Sequence, residues 1–223
     1  NLLSYIYRLE EPRLLRYEKA IVNDFDHTFL VSDVDRLYLF EDDPGKLGKT
    51  SAITNGVDFD RSQYEFSAAG KDLVFIGNMS TLPNIDAVKY MATEILPRVR
   101  KKHPSTSLRV IGRIGPRERS DLMHLKHVHI IGEVDSVADA ARGAGAGVCP
   151  MRLGAGIQNK LLEYMALGLP AVSTTIGLEG LYAQPGVALE VADDPASFAR
   201  HLIQILSDRS RAEAMALAAR HYV

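Results

Sequence analysis

From about residue 70 onward, short apolar runs alternate with longer amphipathic stretches. Asp72-Leu-Val-Phe-Ile-Gly77 reads as a strand closed by glycine. Pro83 then stands where a first helical residue belongs, behind Thr81 as a cap. Ile85, Val88, Ala92, Ile95, Leu96 and Val99 follow at helical spacing. Ser107–Gly112 and His127–Gly132 are two more strands closed by glycine. Ala144–Cys149, Leu169–Ser173 and Val187–Val191 complete a set of six. Asp193 or Asp194 caps a helix with Pro195 in its first turn, and another helix runs from about Ser210 to the end. This alternation predicts an α/β fold: a Rossmann-like parallel sheet with helices on both faces, whose ligands bind at the carboxyl ends of the strands.

The first sixty residues follow another pattern. Glu11–Val22 reads as a helix with Leu14, Leu15, Ala20 and Ile21 near one face. His27–Ser32 and Lys49–Thr54 read as strands, Val34–Phe40 as a helix, and Glu41–Gly48 as a polar loop. Asn55-Gly56 is a turn signal. Two strands are too few for a sheet that stands alone. The expected organisation is therefore a remnant of a preceding N-terminal domain over 1–56 and a linker over 57–70. A Rossmann-like domain over 71–208 and a C-terminal helix over 209–223 follow. The chain opens on Asn1 without methionine and stops at Val223 inside a helical pattern, so a fragment of a longer protein is expected.

The segment Gly154-Ala-Gly-Ile-Gln-Asn-Lys160-Leu-Leu-Glu163 carries the candidate chemistry. It is a glycine-rich turn entering a helix, which Gly168-Leu-Pro170 ends. A helix start offers unpaired N–H groups and a partial positive charge. Glycines ahead of it let a phosphate approach the backbone. Lys160 adds a cation, and Glu163 accepts hydrogen bonds from a sugar diol. The plainer readings are a turn for Gly154 and Gly156, and a cap for Asn159. Lys160 as a surface charge paired with Glu163, and Glu163 as a first-turn acid, belong to the same plain set.

Charge and composition narrow the classes. The formal net charge of −2 gives no footprint for nucleic acid. No apolar run reaches the roughly 20 residues of a membrane span, and no signal peptide is visible. Cys149 lies in an apolar run and reads as a buried thiol, which fits a reducing cytoplasmic compartment. The seven histidines show no zinc spacing with it, so no metal site is expected. His127 and His129 lie on a strand, with one of them expected to be buried. A nucleophile elbow and a dinucleotide fingerprint are both absent: Pro116 follows Gly112-Arg-Ile-Gly115.

Five motifs in order resemble the group 1 retaining glycosyltransferases of the GT-B fold. Phe25–Ser32 looks like the last strand of the acceptor-side domain, and Ile53-Thr-Asn-Gly-Val-Asp58 like the crossing between domains. Phe75-Ile-Gly77 resembles the opening loop of the donor-side domain, and Ile131-Gly-Glu-Val134 the stretch beside the nucleotide base. Gly156–Val172 resembles the signature helix and following strand. Gly77–Asp86 and Gly156–Lys160 are also similar to a bacterial exopolysaccharide-associated subgroup.

The resemblance implies a cytoplasmic enzyme that moves a sugar from a UDP- or GDP-linked donor to a glycan or lipid-linked acceptor. It implies no cofactor or metal, no nucleic-acid partner, and peripheral membrane association through the N-terminal domain. It makes Lys160 and Glu163 the catalytic pair. Donor contacts would come from Gly77, Asn78, Arg113, Glu133, Val134, Gly154, Gly156, Ile157 and Asn159 as well, with Arg152 as a further cation. Two departures stand out. The family often carries two glutamates separated by seven residues; Glu163 matches the second, but Ala155 holds the place of the first. The cationic pair after the opening glycine is missing too, since Asn78, Met79 and Ser80 follow Gly77. A catalytically silent nucleotide- or protein-binding module is the alternative these departures raise, with a nucleotide-sugar epimerase as a third reading.

Overall fold

A computed structural model describes residues 2–58, 70–154 and 156–223. The chain divides into two compact units, residues 1–55 and 56–223.

The first unit contains α1 (Leu2–Ile21), β1 (Thr28–Leu30), α2 (Asp33–Phe40), α3 (Pro44–Leu47) and β2 (Thr50–Ala52). β1 and β2 pair in parallel, with Thr28 opposite Thr50. Arg36 joins the pieces by donating to the Thr50 carbonyl at 3.0 Å and the Leu47 carbonyl at 3.0 Å. Ser32 caps α2 by accepting from the Asp35 amide. Two expectations are corrected here. α1 begins well before Glu11 and continues through Pro12. Leu14 on that helix is 56% exposed. The expected loop over 41–48 contains one helical turn, because Asp43 caps it and Pro44 supplies a ready-made first-turn φ.

The second unit is a six-stranded parallel sheet. Its strands are β3 (Asp72–Ile76), β4 (Leu108–Ile111), β5 (Val128–Gly132), β6 (Ala144–Cys149), β7 (Ala171–Ser173) and β8 (Glu190–Val191). Their spatial order is β5-β4-β3-β6-β7-β8. All six expected strands are present. The last shortens to two residues, since Leu189 makes only an isolated bridge to Pro185. β6 is buried along its whole length and β3 along all but its first residue, as a central strand covered on both faces must be. Neither His127 nor His129 is buried: β5 is an edge strand.

The helices are α4 (Leu82–Tyr90), α5 (Leu96–Arg100), α6 (Pro116–Leu122), α7 (Val137–Ala141), α8 (Asn159–Ala166), α9 (Thr175–Leu178), α10 (Pro195–Ser207) and α11 (Arg209–Tyr222). A π-helical stretch, Met91–Ile95, joins α4 to α5 just ahead of Pro97, whose missing N–H disturbs the regular ladder. Asp194, not Asp193, caps α10, accepting from the Ala196 and Ser197 amides. Asp193 instead holds the Thr175 amide and hydroxyl. Among the described residues no helix is long and apolar enough to cross a membrane.

From β3 the chain steps outward to β4 and β5; from β6 it steps the other way. Right-handed crossovers therefore place the two sets of connecting helices on opposite faces, and the connection reverses between β3 and β6. At that reversal the two strands separate. Their pairing runs only to Val74 opposite Gly147. Tyr164 of α8 enters there, with no exposed surface. Its hydroxyl accepts from the Ile76 amide at 3.0 Å and lies 3.1 Å from the Val74 and Val148 carbonyls. Gly147 makes room: a Cβ there would sit 2.5 Å from the Tyr164 ring.

We expect Tyr164→Phe to cost about 1–3 kcal/mol, because buried backbone groups lose their partner without any loss of ring packing. Urea unfolding of the two proteins measures it; an unchanged midpoint would remove the hydroxyl from this role.

Candidate functional site

Anchored by Tyr164, α8 points its first turn toward the carboxyl edge of the sheet. Its far end is held by Arg220 of α11, whose guanidinium donates to the Ala166 carbonyl. A cation there suits the negative end of a helix. The sequence raises Asn159 as a cap, but the cap position belongs to Gln158, and Asn159 is the first helical residue. The Gln158 side chain makes no capping bond. The turn ahead is held open by Gly154 at φ 130° and Gly156 at φ 74°, a region that side-chain-bearing residues rarely occupy. A Cβ on Gly156 would meet nothing within 4 Å, so the space above it is open. Ala155, where the first of two family glutamates would stand, lies outside the described residues.

Lys160 is not a surface charge. It is 7% exposed. Its Nζ donates to Gln158 Oε1 at 2.8 Å, lies 3.9 Å from Met151 Sδ, and sits 5.2 Å from the centre of the Phe75 ring. Burial lowers its pKa, against the opposing pull of Cys149 and Glu163. Glu163, one turn on, is half-buried, and burial raises its pKa while Lys160 lowers it. Glu163 Oε2 is buried without a hydrogen-bond partner. Buried polar oxygens are ordinarily hydrogen-bonded, so this one has capacity to accept from a donor.

Glu163 lines a cleft of about 540 Å³, within the range of small-molecule sites. Asn159 and Leu167 share its α8 wall; Asp135, Ser136, Val137 and Ala138 form the opposite one. Gly56, Val57 and Asp58 also line it, and these are residues of the crossing motif. The lining carries three carboxylates and no cation. This suits the hydrogen-bond donors of a nucleoside better than a phosphate. Asn159 belongs both to the cleft and to the α8 start, so the cleft reaches the first turn of α8.

The other expected residues are placed unevenly. Val134 and Ile157 are half-buried and pack against the core. Glu133 is exposed and lies 3.6 Å from Arg113, itself exposed, across the ends of β5 and β4. Gly77 donates its amide to the Ile111 carbonyl, and its missing Cβ leaves room for Asn84. The Asn78 side chain accepts from the Ser80 amide, closing the turn on itself. Arg152 is bound at 2.6 Å and 3.0 Å to Asp86 and lies over the Tyr90 ring. The residues brought to one place are therefore Gly154, Gly156, Asn159, Lys160 and Glu163. Sequence reading missed Gln158, Tyr164 and Asp135. Gln158 and Tyr164 stand inside the quoted signature, so position alone could have flagged them.

A buried ammonium costs stability where an anion answers it only in part, as Glu163 does for Lys160. In the absence of nucleotide, Lys160→Met should raise stability by about 1 kcal/mol. Lys160 has a lowered pKa when folded, so the unfolded chain holds the extra proton. Its cost is full below the lowered folded pKa and shrinks as pH climbs from there toward the ordinary lysine value of 10.5. Thermal melts of both proteins across that range should converge; a gap that widens would contradict the assignment.

The family described as Glycosyl transferases group 1 matches residues 70–208. An uncharacterised 44.6 kDa protein of the cps region of Klebsiella pneumoniae is 25% identical over 214 residues. That match covers 91% of this chain and 53% of the relative, so the chain spans about half its length. Among solved structures, S. aureus TarM, a mutant in complex with fondaparinux, alpha-GlcNAc-glycerol and UDP, superposes with TM-score 0.75 at 16% identity. It covers 93% of this chain and 42% of TarM. Anabaena Alr3699/HepE, in complex with UDP and glucose, gives 0.72 at 13% identity over 93% and 61% of the two chains. These likenesses show the fold, that of the GT-B glycosyltransferases. By its family match across more than half its length, the chain belongs to the group 1 glycosyltransferases.

Proposed function

We propose that the whole protein transfers a sugar, with retention, from a UDP- or GDP-linked donor to a glycan or lipid-linked acceptor in bacterial polysaccharide assembly. Residues 56–223 would be its donor-binding half. The observation that carries this reading is a cleft lined by Glu163 and by Asn159, the first residue of a helix whose cap position makes no side-chain capping bond; one Glu163 carboxylate oxygen is buried there without a hydrogen-bond partner. Support comes from the solved relatives in complex with UDP and from the relative in the cps region.

In this reading Glu163 accepts from the ribose hydroxyls. The α8 amides and the open glycine turn take the diphosphate, with the Lys160 ammonium beneath them. An ammonium has three N–H groups, and Gln158 occupies one. As the bond from the anomeric carbon to the phosphate oxygen breaks, its electron pair stays on the phosphate. Amides and an ammonium already in place meet that charge without reorganising. The incoming anion also offsets the desolvation that burial imposes on Lys160. Acceptor groups would come from the rest of the longer protein, so residues 1–223 alone should bind nucleotide and turn over little.

A second reading, a silent binding module, draws on the loop after Gly77. Residues 78–82 carry no cation, and Arg152 is already held by Asp86. Full-length protein that binds donor and neither transfers nor hydrolyses it would favour this reading.

Glu163→Ala should weaken UDP binding by about 1–3 kcal/mol through lost charge-assisted hydrogen bonds. Calorimetric titration tests this, and an unchanged affinity would remove the ribose assignment. Lys160→Ala should reduce affinity for UDP far more than for uridine. Equal losses for the two ligands would contradict a diphosphate contact. Failure of UDP, GDP and their sugar conjugates to bind at all would overturn the donor-site reading itself.

A further inference from the structure

We propose that a second cleft, on the opposite edge of the same sheet, binds a small amphipathic anion: an apolar group carrying a phosphate or a carboxylate. This cleft measures about 610 Å³ and lies between the C-terminal end of α5 and the loop entering β5. Both elements flank the amino ends of β4 and β5. The donor cleft sits at the carboxyl ends, roughly 16 Å away along the five residues of β5. The two clefts share no lining residue.

Its chemistry is divided. Ala92, Leu96, Pro97 and Leu125 form an apolar floor. Arg100, Lys101 and Lys126 stand around it, with His124 and His127 beside them. No acid lines the cleft. Glu94, close by on the π-helical stretch, pairs with Arg98. The Lys101 and Lys126 side chains are exposed, so their charge is available to an incoming anion, and the exposed His124 and His127 stand beside them. Inorganic phosphate alone would leave the floor wet, and a neutral apolar molecule would leave the cations unanswered. A ligand with both parts satisfies both.

Two backbone irregularities meet at this cleft. The π-helical stretch Met91–Ile95 supplies Ala92 and Thr93 to its wall. His127, in the opposing loop, is the one described residue other than glycine with positive φ, at 62°. Widened helical turns and left-handed side-chain-bearing residues are costly, and they gather where a surface is shaped for use. Within the apolar part Ala92 and Leu96 are buried and Leu125 is half-buried, while Pro97 is exposed. A cleft of this volume matches a small molecule rather than a flat bilayer.

The test uses the whole chain with hexyl phosphate, inorganic phosphate and hexanol as probes, read by calorimetry. Hexyl phosphate should bind at least tenfold more tightly than either of the other two. The double variant Lys101→Glu, Lys126→Glu should lose at least tenfold of that affinity, with an unchanged melting curve. UDP affinity, measured separately, should be the same in wild type and variant, so the outcome is independent of the donor-site reading. Equal binding of inorganic and hexyl phosphate would mean a diffuse ion cloud and overturn the proposal. So would displacement of hexyl phosphate by UDP, or retention of affinity in the variant. Binding to phosphatidylglycerol vesicles without binding to monomeric hexyl phosphate would assign the surface to a membrane instead, and would equally overturn it.

Discussion

A parallel sheet whose connections reverse direction must open between its two innermost strands, and something has to fill the opening. Here the Tyr164 hydroxyl does so, taking the Ile76 amide and facing the Val74 and Val148 carbonyls. Backbone groups in a dry interior cannot be left unpaired. One side chain therefore ties β3, β6 and α8 together at the point where a ligand crevice forms. The bareness of Gly147 is the other half of this arrangement, since any side chain there would expel the ring. The direction and depth of α8 follow from that anchor and from Arg220 at its far end.

Once α8 is so placed, two charges enter low-dielectric surroundings together. Lys160 lies against Gln158, Met151 and Phe75, and Glu163 at the cleft wall. Burial pushes each toward its neutral form, and each partly restores the other's charge. Neither is fully satisfied by protein groups. Gln158 meets only one of the ammonium's N–H groups, and one carboxylate oxygen is unmet. An interior that tolerates such groups without a ligand gives up stability for readiness, a pattern familiar where charge is held in advance for a developing anion. In the proposed function the carboxylates would face the nucleoside, and the helix amides with the ammonium would face the diphosphate.

Much was legible from the chain because it depends on local periodicity. Six strands, their glycine ends, the capped α10 and the glycine-to-helix turn at 154–160 all follow from short-range pattern and backbone sterics. The misses have physical causes of their own. α3 was hidden in a polar stretch because a single helical turn needs only a cap and a proline, not an apolar face. The exposure of His127 and His129 depends on β5 being an edge, which strand order alone decides. Arg152 and Arg113 looked like free cations because their partners, Asp86 and Glu133, are distant in sequence.

The sequence by itself determined the class of fold, the family likeness and the glycine-to-helix pattern ahead of α8, since each is written in residues that are neighbours along the chain. Tertiary structure decided which of those residues are buried, which are already paired, and which face open space. Lys160 illustrates the division. Its charge is a property of the residue, but its burial under Phe75, Met151 and Gln158 arises from strands and turns brought together by folding. Desolvation and partner geometry act through space, so no spacing along the chain encodes them directly.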